Sequence, residues 1–115
     1  MTDRLLPLTT EAAEPETSRP DRSRVISGDP VHTTWTLDEG GGLYAGVWRS
    51  TPGAWRVVYD EWEYCILREG RSVVTGDDGS ALRLGPGDAA VLRPGFSGVW
   101  EVVETTLKDF VVRLP

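Results

Sequence analysis

The sequence predicts a single all-β domain, either a sandwich or a barrel of short antiparallel strands. After residue 24, short runs rich in β-branched and aromatic residues alternate with turn residues at regular spacing. No segment in that part of the chain has the apolar periodicity of a helix. At 115 residues the chain has room for one core. We therefore expect one β-domain with no second unit.

Residues 1–24 are predicted to form a flexible or docked N-terminal arm. They contain three prolines and six serines or threonines, and Leu5, Leu6 and Leu8 are their only cluster of large apolar residues. Residues 10–14 can form one helical turn, which the following proline ends. Two interpretations stay open: a solvated tail, or an arm whose leucines pack on the same or a neighbouring subunit.

The domain proper, residues 25–115, divides into strand-like runs separated by turns. The runs are residues 31–37, 43–49, 55–67, 72–75, 81–84, 89–92, 99–104 and 107–114. Residues 76–80 contain an Asp-Gly pair, which supplies the positive φ angle of a tight hairpin. Gly-Pro-Gly-Asp at residues 85–88 and Arg-Pro-Gly at residues 93–95 mark two further sharp turns. This spacing is typical of antiparallel strands joined in sequence.

The run at residues 55–67 carries charge on a face that should belong to the core. If the run is one strand ending at residues 68–70, period two places seven side chains on one face. They are Trp55, Val57, Tyr59, Glu61, Glu63, Cys65 and Leu67. A buried carboxylate must find a partner or give up its charge. Glu61 and Glu63 are therefore candidates for a polar centre inside the domain.

Composition and charge exclude several classes of function. A formal net charge of −6 argues against a general nucleic-acid binder, which needs a basic surface. The single cysteine, Cys65, allows neither an internal disulfide nor a cysteine zinc site. No apolar run near the N-terminus resembles a signal sequence or a membrane span, so we expect a cytoplasmic protein with no membrane partner. Lys108 is the only lysine among twelve basic residues.

Several segments together resemble those of small single-domain cupins. They are Gly46–Trp48, Thr51–Gly53, Glu63–Gly70, Gly85–Asp88 and Gly98–Val102, followed by Lys108. More narrowly, they are similar to the cupin domain of ureidoglycine aminohydrolase and to the ethanolamine-utilisation cupin. The resemblance covers residues 28–115. It implies a cupin-type jelly-roll β-barrel with an extended N-terminal arm, a homodimer, and an interior able to hold one small molecule.

The metal ligands of the general cupin pattern are largely missing from this sequence. Glu63 and Gly70 keep the spacing of the first motif, but its two histidine positions fall on Val57 and Tyr59. The histidine position of the second motif falls on Gly98. The resemblance implies three histidines and one glutamate around a divalent metal, and only Glu63 remains. One carboxylate is too few ligands for a transition metal, so we predict no metal and no other cofactor.

Glu63, Lys108 and Tyr59 are the candidate catalytic residues. Lys108, Phe110 and Val112 alternate along one strand face, and if that face is inward Lys108 and Glu63 can form a buried pair. Alternatively the pair is structural, or the lysine is exposed at the sheet edge. Tyr59 stands at a ligand position of the metal-bearing relatives, where its hydroxyl can act as a donor or weak acid or belong to a core tyrosine.

The predicted ligand-binding residues are Glu61, Trp48 and Trp100. Trp55 is a further candidate for the cavity wall, whereas the other two tryptophans are expected to pack elsewhere. We interpret Cys65 as an inert buried thiol, because no base is near it in sequence. The lone histidine, His32, is interpreted as a partly exposed strand residue.

Three functions are compatible with these residues. The first is binding of a small polar metabolite, anionic or zwitterionic, with Glu63 and Lys108 as the charged centre and no metal. The second is a small-metabolite hydrolase or isomerase of the ureidoglycine-aminohydrolase-like subgroup, with Glu63 as acid or base. The third is a structural or sensory dimeric domain whose barrel is filled by its own side chains. The sequence leaves open whether the protein is an enzyme.

Overall fold

The computed structural model describes residues 4–115 and confirms the all-β prediction. Two short 3₁₀ turns, Thr10–Ala12 and Arg22–Arg24, lie in the N-terminal part. The strands are β1 (Glu16–Ser18), β2 (Val25–Gly28), β3 (His32–Gly40), β4 (Leu43–Ser50), β5 (Gly53–Val58), β6 (Trp62–Gly76), β7 (Ala81–Leu84), β8 (Ala89–Leu92) and β9 (Ser97–Arg113). Within the described residues, no helix is long and apolar enough to cross a membrane.

Within residues 4–115, the nine strands belong to one curled antiparallel sheet organised around β9. Along one edge β9 pairs first with β5 and then with β4, and along its other edge it pairs with β6. The outer edge of β6 pairs with β8 near its start and with β7 near its end. On the far side, β4 continues to β3 and β1, and β5 continues to β2. Because β9 pairs with β4 and β5 along one edge and with β6 along the other, the sheet curls around a single core.

The strands β5, β6 and β9 differ from the predicted runs in three ways. The run at residues 55–67 is not one strand, because a turn at residues 59–61 separates β5 from β6. The glycine at the end of that run, Gly70, does not end β6 but bends it. Gly70 has φ +85°, and the pairing with β9 shifts register between Leu67 and Ser72, which is the signature of bulges. Likewise the predicted runs 99–104 and 107–114 form one strand, β9.

The core follows the period of two that the sequence predicts for β6. Glu63, Cys65 and Leu67 are all buried, and the tyrosine between the first two faces outward. The main cluster of buried apolar residues consists of Trp55, Cys65, Leu67, Val74, Leu84, Leu92, Trp100 and Val102. These side chains fill one part of the curled sheet, and the polar centre lies beside them.

The N-terminal arm joins the sheet of its own chain through β1. Glu16 pairs with Thr34, and Ser18 pairs with His32, so β1 forms an edge strand on β3. The three leucines of the arm are not buried against the sheet: Leu5 is 78% exposed, and Leu6 and Leu8 are also exposed. Packing of these leucines on a neighbouring subunit and the domain boundary at residue 24 stay predictions.

Candidate functional site

A cavity of about 230 Å³ lies inside the curled sheet. Strands β3, β4, β5, β6 and β9 each contribute to its wall. The lining residues are His32, Thr34, Trp48, Trp55, Val57, Tyr59, Glu63, Trp100, Lys108, Phe110 and Val112. Most of these side chains are aromatic or aliphatic, and a few convergent polar groups lie among them. Such a lining is typical of small-molecule sites.

Glu63 and Lys108 form a buried ion pair in this cavity. The Lys108 ammonium donates a 2.8 Å hydrogen bond to Glu63 Oε2, and the two side chains are only 6% and 7% exposed. They are not cross-strand neighbours, because Glu63 lies opposite Val112 and Lys108 lies opposite Leu67. The pair forms because both side chains reach across the curved interior. Charges this far from water persist only when paired and hydrogen-bonded.

Tyr59 completes the hydrogen bonding of the carboxylate. Its hydroxyl donates to Glu63 Oε1 at 2.8 Å. Its backbone is held by Phe96 and Gly95: the Tyr59 N–H donates to the Phe96 carbonyl, and the Gly95 N–H donates to the Tyr59 carbonyl. Burial, followed by the neighbouring Glu63 charge, raises the pKa of Tyr59 well above its usual value. The tyrosine is therefore a neutral donor at neutral pH.

Two indole rings enclose the ammonium of Lys108. Its Nζ lies 4.6 Å from the ring centroid of Trp48 and 4.2 Å from that of Trp100, so both contacts are cation–π interactions. Trp100 is 1% exposed, and its indole N–H donates to Ser72 Oγ at 3.2 Å. Ser72 in turn shares a 2.8 Å hydrogen bond with Thr106. This chain of contacts fixes the ring against which the ammonium rests.

His32 belongs to the cavity wall, which the sequence interpretation missed. Its ring centroid lies 4.6 Å from that of Trp55 and 5.1 Å from that of Trp48. Its Nε2 is buried and has no hydrogen-bond partner among the described residues. Burial, with a smaller contribution from the Lys108 charge, lowers the pKa of His32 to about 4. The sequence carried no clear signal for this placement, because the residues from His32 to Trp35 show no distinct inward face.

The depressed pKa of His32 predicts a loss of stability in acid. The unfolded chain takes up this proton near pH 6.5 and the folded chain only near about 4, so between these values the unfolded state binds more protons. Stability therefore rises with pH through this window and falls on acidification. Because the ring keeps some contact with solvent, we expect His32 to account for about 1–2 kcal/mol. Urea unfolding at several pH values measures it.

The His32→Phe variant is the control for that measurement. It keeps an aromatic ring beside the tryptophans and leaves every other titrating group in place. Its free energy of unfolding should vary less between pH 6.5 and about 4 than that of the original chain. Identical pH profiles would show that the histidine does not contribute.

The structure brings most, but not all, of the predicted site residues together. Trp48 and Trp100, and also Trp55, line the cavity. Glu61 does not: it lies in the turn between β5 and β6, and its Oε1 accepts a 2.9 Å hydrogen bond from the N–H of Asp60. Glu61 was expected on the inward face, but the strand is interrupted there, so period two no longer applies. We leave it out of the proposed site.

The lone cysteine is fully buried, as the sequence interpretation expected. Cys65 is 0% exposed. Burial is the main cause that raises the pKa of its thiol, which keeps it protonated. It belongs to the apolar core beside the cavity.

The residues of the cavity do not fit the metal that the cupin pattern implies. Val57 and Gly98 have no donor side chains, and Tyr59 already donates to Glu63. Both oxygens of Glu63 accept hydrogen bonds from protein donors. Throughout residues 4–115, no group of three or more His, Cys, Asp or Glu side chains is arranged to hold a metal ion. The donor set of the cavity is one ion pair, one phenol and the single imidazole of His32, which leaves too few free donors for a transition metal.

The curled sheet and its central cavity define a cupin barrel. The model of the EutQ-like cupin domain matches residues 37–110. The chain therefore belongs to the EutQ-like cupin family. The match spans β4 to most of β9, so it includes all strands of the cavity wall except the start of β3.

Solved structures of similar fold include two bacterial proteins. A protein of unknown function of the DUF861 family from Pseudomonas syringae pv. tomato is 31% identical, with a TM-score of 0.81; the match covers 91% of this chain and 46% of that one. The EutQ protein of Clostridium difficile is 15% identical, with a TM-score of 0.66 and coverage of 73% and 63%. At that identity the second likeness shows the fold alone.

A third relative matches a shorter part of the chain. A DUF861 family protein from Thermotoga maritima is 28% identical over 56% of this chain and 73% of its own, with a TM-score of 0.54. The chain spans less than two thirds of the first two structural relatives. No curated protein matches this chain.

Proposed function

We propose that this protein binds a small polar metabolite, anionic or zwitterionic, in the cavity and without a metal. The observation that carries the proposal is the buried Glu63–Lys108 pair, which lies within an aromatic cavity of about 230 Å³. A volume of about 230 Å³ corresponds to roughly eight water molecules at about 30 Å³ each. The ligand is accordingly a molecule of a few carbon atoms.

The charges of the pair favour a ligand with an acceptor group. An ammonium has three N–H donors, and Glu63 takes one of those of Lys108. A carboxylate or carbonyl oxygen of the ligand can take another. If the ligand also carries an ammonium, Glu63 can accept from it, since each carboxylate oxygen accepts more than one hydrogen bond. The indole faces of Trp48 and Trp55 would then pack against the body of the ligand.

The cavity argues against a barrel filled by its own side chains. A purely structural domain has no reason to leave space beside a buried ion pair, because unfilled volume costs stability. The buried and unpartnered Nε2 of His32 is a second unsatisfied feature of this wall. Both are expected where a ligand supplies the missing contacts.

Ligand titration of two matched variants tests the proposal. Propionate, pyruvate, glycine and β-alanine are added while the fluorescence of the cavity tryptophans is followed, and native mass spectrometry detects molecules that co-purify. For the zwitterions glycine and β-alanine we expect saturable binding that weakens at least about tenfold in Glu63→Gln, because the ligand ammonium loses its charged partner. Propionate and pyruvate, which have no ammonium and pair with Lys108, should not lose affinity in that variant. Glu101→Gln, at an exposed position of β9, is the control and should bind as the original chain does. Unchanged affinity for both zwitterions in a folded Glu63→Gln variant would refute the proposal.

A second candidate is a hydrolase or isomerase of the ureidoglycine-aminohydrolase-like subgroup. It is favoured by the position of Glu63 within 2.8 Å of both the Tyr59 hydroxyl and the Lys108 ammonium, since such contacts allow proton transfer. Turnover of a small nitrogenous substrate that falls by about 10²–10⁴ in Glu63→Gln would support it. Equal turnover in the variant would exclude Glu63 as the acid or base. The homodimer and the cytoplasmic location stay predictions.

A further inference from the structure

We infer that Lys108 forms a reversible imine with a small aldehyde or ketone that enters the cavity. This inference rests on the proposed function, because it requires that the cavity admits a ligand. It goes beyond that function by naming the class of ligand, a carbonyl compound, and by giving Lys108 a covalent role.

The position of the amine carries the inference. Lys108 lines the cavity wall, yet its side chain is only 6% exposed, so a carbonyl group reaching Nζ would meet it away from bulk water. Proteins use buried lysines as the amine of imine chemistry, and here the paired carboxylate holds the amine as an ammonium until it accepts the proton. Glu63 Oε2 lies 2.8 Å from Nζ and is the base that removes the proton that the nucleophile must lose.

The reaction balances with groups that are already present. The ammonium of Lys108 passes one proton to Glu63, and the nitrogen lone pair attacks the carbonyl carbon, whose oxygen takes that proton from Glu63 and becomes a hydroxyl. Glu63 then accepts a second proton from the nitrogen and gives it to the hydroxyl. The hydroxyl leaves as water, the nitrogen lone pair forms the C=N bond, and the product is a protonated imine. In sum, one ammonium and one carbonyl compound give one iminium ion and one water, so no oxidant, reductant or other reactant is needed.

The surroundings suit the product as well as the starting amine. The reaction conserves the single positive charge, which stays beside Glu63 and between the rings of Trp48 and Trp100. Tyr59 holds the other oxygen of Glu63 and so keeps the carboxylate in position. His32 is uncharged at neutral pH and therefore does not repel the cation. The planar iminium would lie in the space that the ammonium now occupies.

The composition of the chain makes a sharp experiment possible. Propanal and sodium cyanoborohydride, which reduces imines to stable amines, are added to the full-length protein, and digestion with mass spectrometry locates the adduct. Lys108 is the only lysine, so the single competing amine is the α-amine of the purified chain. An α-amine is the more reactive group under ordinary conditions, because its pKa is near 8 and that of lysine is near 10.4.

We expect Lys108 to be labelled faster than the α-amine in the folded protein, and more slowly than the α-amine once urea has unfolded it. In Glu63→Gln the labelling of Lys108 should slow by about a hundredfold while that of the α-amine is unchanged. In Lys108→Arg, which keeps the positive charge, the internal adduct should disappear. Near-ultraviolet circular dichroism shows whether each variant is folded.

Slower labelling of Lys108 than of the α-amine in the folded original chain would overturn the inference, whatever the variants do. The proposed function is judged separately, by the non-covalent titration with propionate and glycine. Saturable binding in that titration without a Lys108 adduct would reject the imine alone. Failure of both experiments would reject the ligand site itself.

Discussion

Lys108→Met is expected to lower the free energy of unfolding by roughly 3–5 kcal/mol, because it leaves a buried carboxylate without its counter-charge. Methionine has nearly the length of lysine, so the space between Trp48 and Trp100 stays filled. What disappears is the 2.8 Å hydrogen bond to Glu63 and the two cation–π contacts. For a domain whose whole stability is about 5–15 kcal/mol, this is a large loss. Urea unfolding followed by tryptophan fluorescence measures it.

A surface ion pair provides the matched control. Arg71 and Glu104 approach to 2.7 Å, slightly closer than the buried pair, but their side chains are 63% and 57% exposed. Water and salt screen such a pair, so Arg71→Met should cost no more than about 1 kcal/mol. If Lys108→Met costs no more than Arg71→Met, burial adds nothing to the pair and the electrostatic account of the site is wrong.

A second substitution separates the cost of the unpaired charge from the loss of packing. In Lys108→Met the buried Glu63 carboxylate has no counter-charge. Adding Glu63→Gln removes that unpaired negative charge. The double variant should therefore be more stable than Lys108→Met alone, and the two effects should be strongly non-additive. Equal losses in the single and double variants would mean that packing of the lysine stem, rather than charge, dominates.

The inward position of the polar centre could be predicted because it follows from local periodicity. Along β6, Glu63 lies on the same face as Cys65 and Leu67. Along β9, Lys108 lies on the same face as Phe110. Period two within an uninterrupted strand depends only on backbone geometry. Two side chains of opposite charge that both point into one small barrel are expected to form an ion pair, because an unpaired buried charge is unfavourable.

The errors have one physical origin, which is that periodicity says nothing across a break or about the curl of the sheet. Glu61 was expected on the inward face, yet it lies in the turn between β5 and β6, where period two does not apply. The opposite error occurred at Gly70, where a bulge bends the strand without ending it. A glycine in a strand-like run is compatible with both outcomes, and only the pairing partner decides between them.

His32 could not be placed because β3 lies near the edge of the sheet. The residues of this strand from His32 to Trp35 are all half-buried, so no clear alternation of buried and exposed positions marks an inward face. Which side faces the cavity is decided by how far the sheet curls toward β9. The curvature of the sheet is set by pairing between strands that are distant in sequence, so it cannot be predicted from the residues of β3 alone.

Gly98 offers a test of why this cavity departs from the metal-binding pattern. The position corresponds to the histidine of the second cupin motif, and here the backbone of a neighbouring strand occupies the space of a side chain. A Cβ atom on Gly98 would overlap the carbonyl oxygen of Thr75 and would lie 2.9 Å from the Phe96 ring and 3.0 Å from the Cα of Gly76. Two of these three neighbours are backbone atoms, which cannot turn aside as a flexible side chain can.

Gly98→Ala is therefore expected to destabilise the protein by about 1–3 kcal/mol, although alanine suits a strand better than glycine does. The matched control is Gly40→Ala. Gly40 is also a strand residue, the last one of β3; its φ is not positive, and a Cβ there meets nothing within 4 Å. That variant should keep or slightly raise the stability, because alanine restricts the unfolded chain. Urea unfolding of both variants decides the question. If Gly98→Ala is as stable as Gly40→Ala, the strands can separate at this point, and the close approach of β6 and β9 is not what keeps a side chain out of the second motif position.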